Sequence, residues 1–131
     1  MMRATEYEQA GVSARWLDAP HARNAYDYVL KYSHPRRYGL NEQSVANIHR
    51  LIVESQFVAD AWLRTNFPSS GTVQIVYGEA DVAVVESETF LQRWWAVFVP
   101  GRDDAVILHN LSPAIMFYCH EQELEIGQRK E

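Results

Sequence analysis

Along this chain the apolar positions recur first at helical spacing and then, past the middle, in short alternating runs. The opening "TEYE" has the form of a capping box, with Thr5 as cap and Glu8 reaching back, and Gly11 ends that helix early. Asp18 caps a second helix whose Ala22, Ala25, Tyr26, Val29 and Leu30 follow helical spacing until Pro35 and Gly39 stop it. From Asn41 to Phe67 the pattern predicts one long helix, capped by Asn41 and closed by Pro68. Val45, Ile48, Leu51, Ile52, Val58, Ala59, Trp62 and Leu63 share its main arc. Val53, Phe57 and Ala61 form a second, narrow strip on the opposite side, which another element or a partner must cover.

From Gly71 onward the period is that of strands: "TVQIVY", "DVAVVE", "RWWAVFV", "DAVILHN" and "AIMFYCHE", joined by short turn-like connectors. A run of hairpins is antiparallel. The expectation is an α+β fold in one domain over residues 1–131. Two or three N-terminal helices (1–67) pack on a C-terminal antiparallel meander of about five strands (71–126). In "RWWAVFV" and "DAVILHN" both faces are apolar, so both need a cover: wrapping helices, a sheet curled around a pocket, or another protein, a second copy included.

Composition narrows the class. A hydrophobic fraction of 47% and a charged fraction of 22% are ordinary globular values, and no run of apolar residues is long enough to span a bilayer. "MMRATEYEQAG" lacks a secretory core and one cysteine makes no internal disulfide, which together favour a reducing cytoplasm. The net charge of −5 is unevenly spread. Residues 1–70 hold 8 Lys or Arg against 7 Asp or Glu, and residues 71–131 hold 4 against 10. An acidic half disfavours nucleic acid and favours a basic partner.

Candidate chemistry begins with Cys119 and His120. In an extended strand neighbouring side chains point to opposite faces, so the pair is expected to look apart, with Cys119 packing beside Ile115 and Phe117. A hairpin centred on Ser112 and Pro113 sets His109 opposite Met116 and leaves His120 about 13 Å further along, too far to share an ion. The glycines build no phosphate loop, no serine sits in a nucleophile elbow, and no spaced Cys or His motif suggests a metal or cofactor. No catalytic residue is assigned.

Two charged features remain. "KYSHPRRYGL" offers Arg36 and Arg37 as forked donors beside Tyr38, and "EQELEI" projects Glu121, Glu123 and Glu125 from one face as an acidic comb, with a bend expected near His120 to Gln122. With Asp103, Asp104 and the aromatic anchors Trp94, Trp95 and Phe57, these define the expected partner surface. The function they suggest is a small acidic cytoplasmic protein that neutralises a protein partner, such as an immunity protein or antitoxin acting on a basic bacterial toxin or enzyme. The order of helices followed by "GEADVAVV" and "RWWAVFVPGRDDAVILHN" also resembles the cone-shaped nuclear transport factor 2-like folds. That resemblance implies a small-molecule enzyme or binder with an apolar pocket, in which His109, Tyr118 and His120 would share an interior face.

Overall fold

A computed structural model describes residues 2–130, in the order α1 (Met2–Gln9), β1 (Arg15–Trp16), α2 (Ala19–Val29), β2 (Val45–Ile52), α3 (Gln56–Asn66), β3 (Thr72–Val76), β4 (Val82–Glu86), α4 (Ser87–Val97), β5 (Ala105–His109), β6 (Ala114–Cys119) and β7 (Glu123–Arg129). A single 3-10 turn, Leu30–Tyr32, extends α2. All seven strands form one antiparallel sheet, ordered β1-β4-β3-β5-β6-β7-β2. The fold is α+β, with seven strands where the pattern suggested about five. No described helix is long and apolar enough to cross a membrane.

Two helices form much as their end signals require. Thr5 lies inside α1 rather than capping it, but Gly11 closes that helix at φ 73°, with its N–H on Glu8 O and the Val12 N–H on Tyr7 O, a Schellman arrangement. Asp18 caps α2 as expected, accepting from the His21 N–H at 3.1 Å. Ala22, Ala25 and Val29 are its buried side.

The long helix over 41–67 does not exist. Val45–Ile52 is a strand paired with β7, and Ser55 caps a separate helix by accepting from the Val58 N–H. A β-bulge explains the misleading period. Asn47 sits at φ 56° and the register shifts between Ala46 and His49, so Val45 and Ile48, three apart, join the same core cluster, as they would on a helix.

"RWWAVFV" errs in the opposite direction. Its first five residues belong to α4, which is kinked at Arg93 and buries Phe90, Leu91, Trp94 and Val97, and only Phe98 and Val99 lie beyond its end. Aromatic and β-branched residues suggested a strand, but the buried stripe that begins at Phe90 decided otherwise. Helices and strands therefore interleave, with β1 and β2 inside 1–67 and α4 inside 71–126.

Both faces of the sheet are covered by helices. On one, α1, α3 and α4 bring Tyr7, Leu63, Phe67, Phe90 and Trp94 against Ile75, Ile107, Met116, Tyr118, Leu124 and Ile126. On the other, α2 and the segment after it bring Ala22, Val29, Tyr32 and Leu40 against Val76, Val106, Leu108, Ile115 and Phe117. Wrapping, not curling, is how the two apolar faces are buried. The second cover reaches less far: α2 lies over β3 and β4, while β7 and β2 at the far edge carry charged side chains on that face.

Candidate functional site

That partly covered corner is the candidate site. Ser33 and Leu40 form an isolated bridge, and the His34 N–H donates to Gly39 O at 2.9 Å, closing residues 33–40 into a loop that carries Arg36, Arg37 and Tyr38. β6 and β7 are joined by a three-residue turn, with the Gln122 N–H on Cys119 O at 2.8 Å and Gln122 at φ 61°. This is the bend expected near His120 to Gln122. Together with β2, these segments surround an open cleft of about 980 Å³. Arg36, Arg37, Glu121, Glu123 and Glu125, read from two remote stretches of sequence, all line it.

The acidic comb meets the protein's own arginines. Glu125 is 6% exposed; it accepts from the Leu40 N–H at 2.7 Å and from Arg37 at 3.4 Å, with Arg50 Nε at 3.9 Å. Glu123 bonds Arg50, across the β2–β7 pairing that sets Arg50 beside Glu125 and Ile52 beside Glu123. Arg37 also reaches Glu42 at 3.0 Å. Only Glu121, of the three glutamates, and Arg36, of the two loop arginines, make no ion pair among the described residues. Arg50 is not among the residues expected from sequence, because the segment that carries it has the spacing of a helix and is a strand.

Gly39 lets the loop come this close. Its φ is 137°, and a Cβ there would lie 2.9 Å from Glu125 Oε1 and against the Arg37 guanidinium. Gly39→Ala is expected to cost about 1–3 kcal/mol through backbone strain, read as a lowered urea midpoint, with hydrogen exchange accelerated across residues 33–40.

At the end of the cleft Cys119 and His120 do not look apart. His120 has left the strand for the turn, so its Nδ1 comes within 4.0 Å of Cys119 Sγ. The pairing of Ala105 with Tyr118, carried one residue on, sets Asp104 across from Cys119. Asp104 Oδ1 accepts both the His120 N–H (2.9 Å) and the Nδ1–H (2.8 Å). The ring of Tyr38 meets His120 edge to face at 4.8 Å. Asp104 raises the His120 pKa through that hydrogen bond, and burial, helped by the carboxylates of Asp104, Glu123 and Glu121, pushes the Cys119 thiol up. One nitrogen faces both Asp104 and the thiol, so His120 cannot donate to the carboxylate and draw a proton from sulfur at once.

The remaining predicted contacts lie elsewhere. Asp103 is 3% exposed and bonded to Arg3, Arg102 and the Val99 N–H. Trp94 is 4% exposed, its Nε1–H donating to Asp60 at 2.6 Å, and is part of the core. Phe57 and Trp95, 83% and 43% exposed, belong to the α3 and α4 layer. No described helix covers Phe57. His109 sits across from Val73, with Ile107 rather than His109 opposite Met116, and is satisfied by Ser112 Oγ and Ser70 O. Tyr118 stacks on Phe98. These two face the α1, α3 and α4 layer while His120 lies with Tyr38, so the three share no interior face. Comparison with protein-family models, with curated proteins and with solved structures finds no match to this chain.

Proposed function

We propose that this chain is a binding protein that occludes a basic protein partner, in the manner of an immunity protein or antitoxin, and that the cleft between the 33–40 loop and the β2–β7 edge is where it docks. One observation carries the reading. Charged groups from the loop and from the β6–β7 turn converge on a single open cleft, and their geometry is fixed before any partner arrives by Arg37, Arg50 and the Leu40 N–H. Preorganised charge reduces the cost of ordering side chains on binding and favours a complementary surface over others. Glu121 and Arg36 are left to make intermolecular pairs, and the chain's net charge of −5 steers toward a basic surface.

The test is affinity capture, then reconstitution from purified components and titration at rising salt. A stoichiometric complex that weakens with salt, and at least about tenfold more in the Arg36→Glu/Glu121→Lys double variant, is the expected result. A complex indifferent to that variant but lost in Phe57→Ser/Trp95→Ser moves the docking surface to α3 and α4 and overturns the cleft as its site. Recovery of a tight small-molecule ligand with no stoichiometric protein overturns the reading itself.

A further inference from the structure

Three donor atoms of different chemistry meet at the corner where β5, β6 and the 120–122 turn come together. Asp104, Cys119 and His120 each present one ligand atom, all within 4.8 Å of one another. We infer that they form a binding site for a borderline divalent transition-metal ion of the zinc class, held by the Asp104 carboxylate, the Cys119 thiolate and His120 Nδ1. The site adjoins the docking cleft, whose wall includes Cys119, but the inference does not rest on the docking reading.

The backbone holds the three groups in place. Cross-strand pairing sets Asp104 against Cys119, the Gln122 N–H holds Cys119 O, the Gly101 N–H holds His120 O at 2.8 Å, and the Tyr38 ring packs against the imidazole. With metal bonds of about 2.0–2.1 Å to nitrogen, 2.0–2.2 Å to oxygen and 2.3 Å to sulfur, a tetrahedral ion needs its ligand atoms separated by about 3.3–3.6 Å. The 2.8 Å from His120 Nδ1 to Asp104 and the 4.0 Å to Cys119 Sγ bracket that range, and with all three atoms inside 4.8 Å the groups need only close by about an ångström to hold the ion.

Chemistry and exposure select the ion. Thiolate with imidazole suits a zinc-class metal and not calcium or magnesium, which take oxygen ligands. Asp104, Glu121 and Glu123 surround the sulfur with negative charge, which opposes a bare thiolate and favours a cation beside it. On binding, the thiol and the His120 Nδ1–H each give a proton to solvent, a neutral imidazole regaining one at Nε2, so that the ion takes the place of the Nδ1 proton shared with Asp104. His120 and Asp104 are each partly open to solvent, so a fourth position is left for water or an incoming donor.

The experiment uses metal-free full-length protein, kept reduced and titrated with Co2+ and then Zn2+. The expected result is saturation at one equivalent, with a sulfur-to-cobalt charge-transfer absorption in the near ultraviolet that Zn2+ removes by displacement. Cys119→Ser should abolish that absorption, and His120→Ala and Asp104→Asn should each weaken binding at least about tenfold. Circular dichroism confirms that each variant is folded, and His120, in a surface turn, is the substitution least able to disturb folding. No saturable absorption in the native protein overturns the site. So does an affinity unchanged by His120→Ala, or an absorption that survives in Cys119→Ser.

Discussion

Asp103→Ala should lower the unfolding free energy by about 3 kcal/mol, the largest loss expected from any single charged position and at the low end of the range for breaking a buried ion pair. The Asp103 carboxylate accepts from the Val99 N–H at 2.8 Å, from Arg102 at 2.8 and 2.9 Å and from Arg3 at 3.0 Å. Arg102 in turn grips Glu6 with two bonds of 2.8 Å, and the Arg3 guanidinium lies 3.7 Å above the Tyr77 ring. Through Asp103, α1 is fastened to the loop between α4 and β5. Removing the carboxylate takes the shared acceptor from two partly buried guanidinium groups, which keep only Glu6 and Asp81, and leaves the Val99 N–H without its side-chain acceptor. Arg102 is about one-third exposed, so water recovers part of its loss, which is why the lower end of the range applies.

Acid should produce the same weakening gradually. Burial opposes the charged form of Asp103, but hydrogen bonds from Arg102, the Val99 N–H and Arg3 outweigh it and hold the carboxyl below its usual range. A carboxylate with a lowered pKa in the folded state contributes stability above its unfolded pKa and loses it as pH falls through the folded value. The gap in urea midpoint between native protein and Asp103→Asn should therefore be widest near neutrality and narrow below about pH 4. Tryptophan fluorescence reports the transition, and a gap independent of pH would show that the Asp103 charge does not contribute.

What the sequence showed of this fold, and what it hid, follows from which forces are local. The Asp18 cap and the Gly11 stop use residues a few positions apart, and both are where the sequence put them. β3, β4, β5 and β6 are short apolar, β-branched runs bounded by turn residues and were legible. β2 was not, because a bulge at Asn47 converts strand alternation into three-residue spacing, and only pairing with β7, more than seventy residues away, reveals it. α4 was hidden by Trp94, Trp95, Val97 and Phe98, whose strand preference masks a buried stripe that starts at Phe90. In the site, each charged cluster was visible alone. Their meeting was not, since it depends on the 33–40 loop crossing the sheet to the far edge. Cys119 and His120 were read as strand neighbours pointing apart, which holds only while both residues are in the strand, and β6 ends at Cys119.

Glu125→Ala is the second large effect, and it tests whether that crossing is what builds the site. Its carboxylate is the acceptor for the buried Leu40 N–H and a counterion for Arg37 and Arg50. Leu40 is fully buried, so without Glu125 its donor has no partner, and the expected loss is about 2–3 kcal/mol. Glu125→Gln separates the two contributions. An amide still accepts from the Leu40 N–H but carries no charge for the arginines, which are about half exposed and well solvated, so this variant should lose only about 1 kcal/mol or less. Hydrogen exchange adds the structural readout. In Glu125→Ala, amides across residues 33–40 should exchange faster than in native protein while those of β5 and β6 keep their protection, because the loop detaches and the central strands do not. Equal stability of the alanine and glutamine variants would mean that charge, not the Leu40 hydrogen bond, holds the loop over the sheet. Unchanged exchange in both would mean that Leu40 and its apolar neighbours hold it unaided.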